Sequence, residues 1–146
     1  MLYELKRLFG REVLDLADDD PAFAVDTPVY AGQLVSTTAG TATYIDFEAA
    51  NQQFPDNNTL ELWCREAATS DGAATLAIVL QSSADHSTWR DELTLNFALA
   101  DIVLSTSTPL RRFTLPAGCG QYLRLKLTVG TAVFTAGQLF IPVRPL

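Results

Sequence analysis

The sequence predicts an all-β fold: an antiparallel, jelly-roll-like two-sheet sandwich of about eight strands, with an extended N-terminal arm. Three observations carry this reading. Apolar and polar residues alternate in five separate runs, turn residues separate the runs, and no stretch after residue 41 carries a helical stripe.

In chain order, residues 1–35 form the arm and residues 36–146 the sandwich domain. Leu2, Leu5, Leu8 and Phe9 stand at helix-like spacing. One or two helical turns and an extended apolar arm are equally compatible with it. Asp18-Asp19-Asp20-Pro21 and Thr27-Pro28 then break any helix. Prolines and acids predict a segment lying on a surface rather than inside a core, ordered against a partner.

The strands follow. In 60–64, Leu60, Leu62 and Cys64 share one face, opposite Glu61, Trp63 and Arg65. In 75–81, Leu76, Ile78 and Leu80 oppose Thr75, Ala77, Val79 and Gln81. In 93–99, Leu93, Leu95, Phe97 and Leu99 alternate with Thr94, Asn96 and Ala98. In 122–129, Leu123, Leu125, Leu127 and Val129 alternate with Tyr122, Arg124, Lys126 and Thr128. In 138–144, Leu139, Ile141 and Val143 alternate with Gln138, Phe140, Pro142 and Arg144. Such runs mark half-buried antiparallel strands. Weaker candidates are 42–47, 101–104 and 110–115. Asp71-Gly72 is a hairpin dipeptide, and 82–87, 116–120 and Gly130-Thr131 are further breaks.

A chain of 146 residues fits one domain. Its 48% hydrophobic and 18% charged content is globular rather than disordered. The net charge of −7 disfavours binding to phosphate backbones, so no nucleic-acid partner is expected. The acidity is local. Residues 1–59 hold 3 basic and 10 acidic side chains, whereas residues 60–146 hold 7 of each. No apolar run approaches the roughly 18 residues of a membrane span. Glu4, Lys6, Arg7 and Arg11 interrupt any signal-like start, so synthesis in a reducing cytoplasm is expected. Two free buried thiols, Cys64 and Cys119, are therefore preferred to a bridge.

The search for chemistry returns no catalytic residue, metal site or cofactor. His86 stands among Ser83, Asp85 and Ser87, but neighbours on one loop rarely converge on a reacting atom. Ser and Asp there cap a turn. The Asp18–Asp20 run lacks the spacing of a calcium loop. Gly118 and Gly120 lack a third glycine and a following helix, so they form a loop rather than a nucleotide fingerprint. Asp91 and Glu92 are adjacent in a strand and point to opposite faces, so they cannot flank one glycosidic bond. Asn57-Asn58-Thr59 is a sequon with no secretory context. Trp63, Tyr122 and Phe140 fall opposite the aliphatic stripes, a pattern shared by a sugar-binding platform, a protein interface and the second face of a strand buried on both sides; the mixed face Tyr122, Arg124, Lys126 fits an outer-face protein interface slightly better.

Residues 72–89, G-A-A-T-L-A-I-V-L-Q-S-S-A-D-H-S-T-W, resemble the central hairpin of small tailed-phage capsid proteins. So do Q-Y-L-R-L-K-L-T-V at 121–129 and T-A-V-F-T-A-G-Q-L-F-I at 131–141. T-A-T-Y-I-D-F at 41–47 stands where that family begins its domain. Over residues 36–144 the chain is similar to the jelly-roll cement, or decoration, proteins of tailed-phage heads. The resemblance implies a non-enzymatic virion structural protein on the outer capsid surface. Such a protein bridges major capsid subunits and forms a homodimer, less often a trimer. Residues 1–35 lie outside the resemblance. The arm's Leu2, Tyr3, Leu5, Leu8, Phe9, Phe23, Val25, Val29 and Tyr30 are the expected capsid contacts. Competing readings are a carbohydrate-binding sandwich, carried by Trp63, Trp89, Tyr122 and Phe140, and a tail or head-completion accessory protein.

Overall fold

The alternation at 122–129 is reproduced in full: Leu123, Leu125, Leu127 and Val129 are completely buried, and Tyr122, Arg124, Lys126 and Thr128, which alternate with them, are half-buried. This is one strand of a computed structural model that describes residues 14–17, 23–31, 45–46, 58–85, 87–115 and 122–145. Ten strands occur among these residues. They are β1 (Leu14–Asp15), β2 (Val29–Ala31), β3 (Ile45–Asp46), β4 (Asn58–Ser70) and β5 (Thr75–Ser83). β6 (Arg90–Ala98), β7 (Arg111–Thr114), β8 (Tyr122–Gly130), β9 (Phe134–Phe140) and β10 (Val143–Pro145) follow. No helix among the described residues is long and apolar enough to cross a membrane.

The strands form two antiparallel sheets. In the first, β4 is central. β9 and β10 run end to end along one side of it, β7 lies on the other, and β1 flanks β9. In the second, β8 and β5 are central, β6 is the edge beyond β5, and β2 and β3 lie end to end beyond β8. The inner faces supply one core, in which Leu60, Leu62 and Cys64 from β4 meet Leu76, Ile78 and Leu80 from β5 and the apolar stripe of β8.

Two sequence expectations are corrected. Residues 101–104 form no strand. They follow a 3-10 helix at Leu99–Asp101, and the chain then runs irregularly along β4. There Ile102 O accepts from Ala68 N (3.1 Å), Ser105 N donates to Cys64 O (2.9 Å) and Leu110 N to Leu62 O (2.7 Å). The stretch protects a sheet edge without being regular enough to count as a strand. The run 138–144 is likewise interrupted. Pro142 cannot donate to the ladder, and β9 and β10 separate at Ile141–Pro142, although Glu61 N still donates to Pro142 O (3.1 Å).

The described part of the N-terminal segment, residues 14–17 and 23–31, also differs from a surface arm. Leu14, Leu16, Phe23 and Val29 belong to the core, and β1 and β2 each extend a sheet. Strands of two or three residues are too short to show a period, which is why the sequence reads here as an arm.

Bulges make β4 long. Cys64 pairs with Leu139 and Glu66 with Gln138, so Arg65 is an extra residue. Glu66 pairs with Gln138 and Thr69 with Ala136, so Ala67 and Ala68 together oppose Gly137. The turn between β8 and β9 carries a different strain, because Thr131 holds a φ of 70°. The left-handed region costs a branched residue about 1–2 kcal/mol. Thr131→Gly is expected to raise stability by about 0.5–1 kcal/mol after the entropy of glycine is deducted. The check is a thermal melt, in which the midpoint rises by about 2–4 °C.

Candidate functional site

Outward-facing residues of the second sheet make the most organised polar cluster among the described residues. Alternation in β8 turns Arg124 and Lys126 outward. Arg124 lies directly opposite Gln81 of β5, and Lys126 lies between Val79 of β5 and Tyr30 of β2. A bulge then brings in the last members. Leu80 pairs with Leu93 but Gln81 with Asp91, so Glu92 is extra in β6. Strict alternation would put Asp91 on the inner face with Leu93. The bulge turns it outward, with Trp89 two residues before it.

The result is a layered stack. The Arg124 guanidinium lies 4.0 Å from the ring centroid of Tyr30 and 4.1 Å from that of Trp89. Its Nε donates to Gln81 Oε1 (2.7 Å), and Gln81 Nε2 donates to Asp91 Oδ1 (2.7 Å). Gln81 is only 7% exposed, so this link is a fixed part of the face. Burial against the rings lowers the Arg124 pKa, the direction expected for a partly desolvated cation.

The loop before Trp89 is held by Asp85. Its carboxylate accepts from Thr88 N (2.9 Å), Ser87 N (2.9 Å) and the Ser83 hydroxyl (2.9 Å). Those bonds lower its pKa to about 2. The folded value lies below the unfolded one, so the carboxylate's support is full above about pH 4. It is lost as pH falls through about 2. The fluorescence of Trp89, read in a Trp63→Phe background, is expected to hold steady from pH 7 to about 4. It should change as the loop carboxylate protonates, and Asp85→Ala should show the changed signal at neutral pH.

The first sheet carries a second, different cluster. Trp63 and Phe140 are cross-strand partners on its outer face, and the Arg65 guanidinium lies 4.5 Å from the Phe140 centroid. With Leu104, which is 56% exposed, these residues edge an open groove of about 470 Å³. Beside them Glu61 faces outward yet is only 1% exposed. Arg112 opposes it across the ladder and bonds it through Nε (2.7 Å) and Nη2 (2.6 Å), and Trp63 Nε1 donates to it (3.3 Å). Period-two alternation identifies the face of Glu61 but not its cover.

The residues named from sequence are thus distributed as follows. Trp63 and Phe140 meet on one outer face. Tyr122 and Arg124 share the other, where Tyr30 joins them. Phe23 and Val29 are core residues, 7% and 8% exposed, whereas Val25 is 38% exposed. Leu2, Tyr3, Leu5, Leu8 and Phe9 lie outside the described residues, as do His86, Asp18–Asp20, Cys119 and the 118–120 loop. Gln81 is readable as outward from the alternation of β5, and Trp89 is grouped with Tyr122 for its aromatic chemistry, but Asp91 is not placed at this site by sequence. Its signal is the Glu92 bulge, which no residue type announces.

Cys64 is free and buried. Burial pushes its thiol pKa up, and its Sγ donates to Glu66 O (3.0 Å), so it behaves as a packing residue. Among the described residues, no three of His, Cys, Asp and Glu come together as metal ligands. The family described as Bbp16 matches residues 12–143 of the chain. No curated protein matches it.

Proposed function

The chain belongs to the Bbp16 family, and we propose that it is a non-enzymatic capsid cement protein of a phage particle. In this reading it binds the outside of the head, bridges major capsid subunits and stabilises the shell. The single observation that carries the protein-binding part is the Tyr30–Arg124–Trp89 stack on a rigid sheet face. Tyr, Trp and Arg are the residues that dominate binding energy at protein interfaces, and here they are already fixed in place. The head as the partner is supported by the resemblance of residues 72–89, 121–129 and 131–141 to phage-head cement proteins. The working form is a homodimer, and the location is the outer surface of the virion.

Adding the purified chain to expanded heads of the encoding phage, prepared without it, tests the proposal. Saturable copies spread over the whole shell are expected, with heads that resist heating better than undecorated ones. Copies confined to the tail or its attachment vertex would sink the cement reading in favour of a tail or head-completion role. Sedimentation of the free protein, 15.9 kDa per chain, reads the dimer directly.

A further inference from the structure

We propose that the outer face of the second sheet docks an acidic side chain of a partner protein, with the Arg124 guanidinium as its receptor. This deepens the protein-binding reading above and rests on it. Three observations lead there. First, the guanidinium carbon lies 4.0 Å from the ring centroid of Tyr30, on β2, and 4.1 Å from that of Trp89, just before β6, so two aromatic rings crowd it and favour a ligand at its nitrogen edge. Second, Nε is engaged by Gln81, itself nearly buried and held by Asp91. The two Nη groups remain as the donor edge, and a pair of parallel N–H groups matches the two oxygens of a carboxylate. Third, no ion pair to Arg124 occurs among the described residues. Among the described residues the ion-paired arginines are Arg90, with Glu92, and Arg112, with Glu61.

The surroundings favour a carboxylate on a protein. Lys126 stands two residues along the same face and adds a second positive charge about 7 Å away by strand geometry. Among the described side chains, Asp91 is committed to Gln81 and Asp85 to its own loop. The chain's net charge of −7 penalises an extended polyphosphate backbone. Tyr30 and Trp89 exclude water from the flanks of the ion pair, where a single carboxylate gains most.

The test uses the full-length protein, its Arg124→Lys and Arg124→Gln variants, and a hexaglutamate peptide at low salt. Circular dichroism first establishes that the variants melt close to the parent. Titration is followed by NMR of the arginine Nε–H and tryptophan indole signals. Saturable shifts are expected at Arg124 and Trp89 with Trp63 unmoved, and Arg124→Lys should weaken binding at least tenfold. Equal binding by Arg124→Lys, equal shifts with inorganic phosphate, or no saturable shift with hexaglutamate would each overturn the inference. Head binding separates it from the function. Heads that accept the parent and Arg124→Lys equally sink the inference and leave the cement reading standing. Heads that refuse the parent, while hexaglutamate still binds at Arg124, sink the cement reading and leave the carboxylate site.

Discussion

Deletion of residues 1–35 is expected to leave a chain that no longer folds cooperatively, rather than a sandwich merely trimmed of its arm. Four of the removed side chains, Leu14, Leu16, Phe23 and Val29, are core residues, 9% exposed or less. Each such burial is worth about 1.5–3 kcal/mol, so the deletion removes roughly 6–12 kcal/mol. Whole domains are stable by only about 5–15 kcal/mol. The sheets lose as well. β1 leaves β9 without its flanking strand, and β2 leaves Leu125 and Leu127 of β8 without partners on that side. The Tyr30 side of the Arg124 stack goes too. Thermal and urea melts of residues 36–146 against the full chain provide the check. A sharp transition near the parent's midpoint would show that the segment is dispensable for folding. Deletion of residues 1–13 alone spares those four side chains and is the cleaner way to ask what the first residues contribute to the proposed head binding.

Gly137→Ala is expected to destabilise the fold by about 2–4 kcal/mol, combining backbone strain and overpacking. Gly137 sits in β9 at φ 142°, a conformation that side chains rarely adopt. An added Cβ would meet Ala68 Cα at 3.2 Å and Leu16 Cδ1 at 3.2 Å. The backbone contact cannot swing aside, because Ala68 is in the bulge and its N–H is bonded to Ile102 O (3.1 Å). Leu16 is fixed from its own side, where its N–H donates to Gly137 O (2.9 Å). The substitution thus strains β1, β4 and β9 together. Chemical denaturation should show a lower midpoint at an unchanged slope. An unchanged midpoint would mean that the bulge relaxes without cost.

Much of the fold was legible because its main strands are half-buried. Burial on one face writes a period of two into β5 and β8, and the residues assigned inward there, from Leu76 to Leu80 and from Leu123 to Val129, are buried. Edge position blurred β6, where Leu93 and Leu95 are only partly buried and Phe97 alone is fully so. The second half of β4, Arg65–Ser70, was illegible because two bulges break its alternation. At the candidate site, Arg124 and Tyr122 could be read as outward from β8 alone. Tyr30 was noticed for its chemistry as an arm residue, without the neighbour that gives it a role.

By itself, then, the sequence determined which stripes of residues must be buried, and with that an all-β sandwich, because alternation is a property of one strand. Tertiary structure decided what crosses between strands. It set the bulge at Glu92 that turns Asp91 and Trp89 toward Arg124, the two-residue opposition at Gly137, and the seating of Leu16 and Phe23 in the core. A bulge is a mismatch of count between two strands, and a two-residue strand exists only through its partner. Neither leaves a period in the chain for local chemistry to reveal.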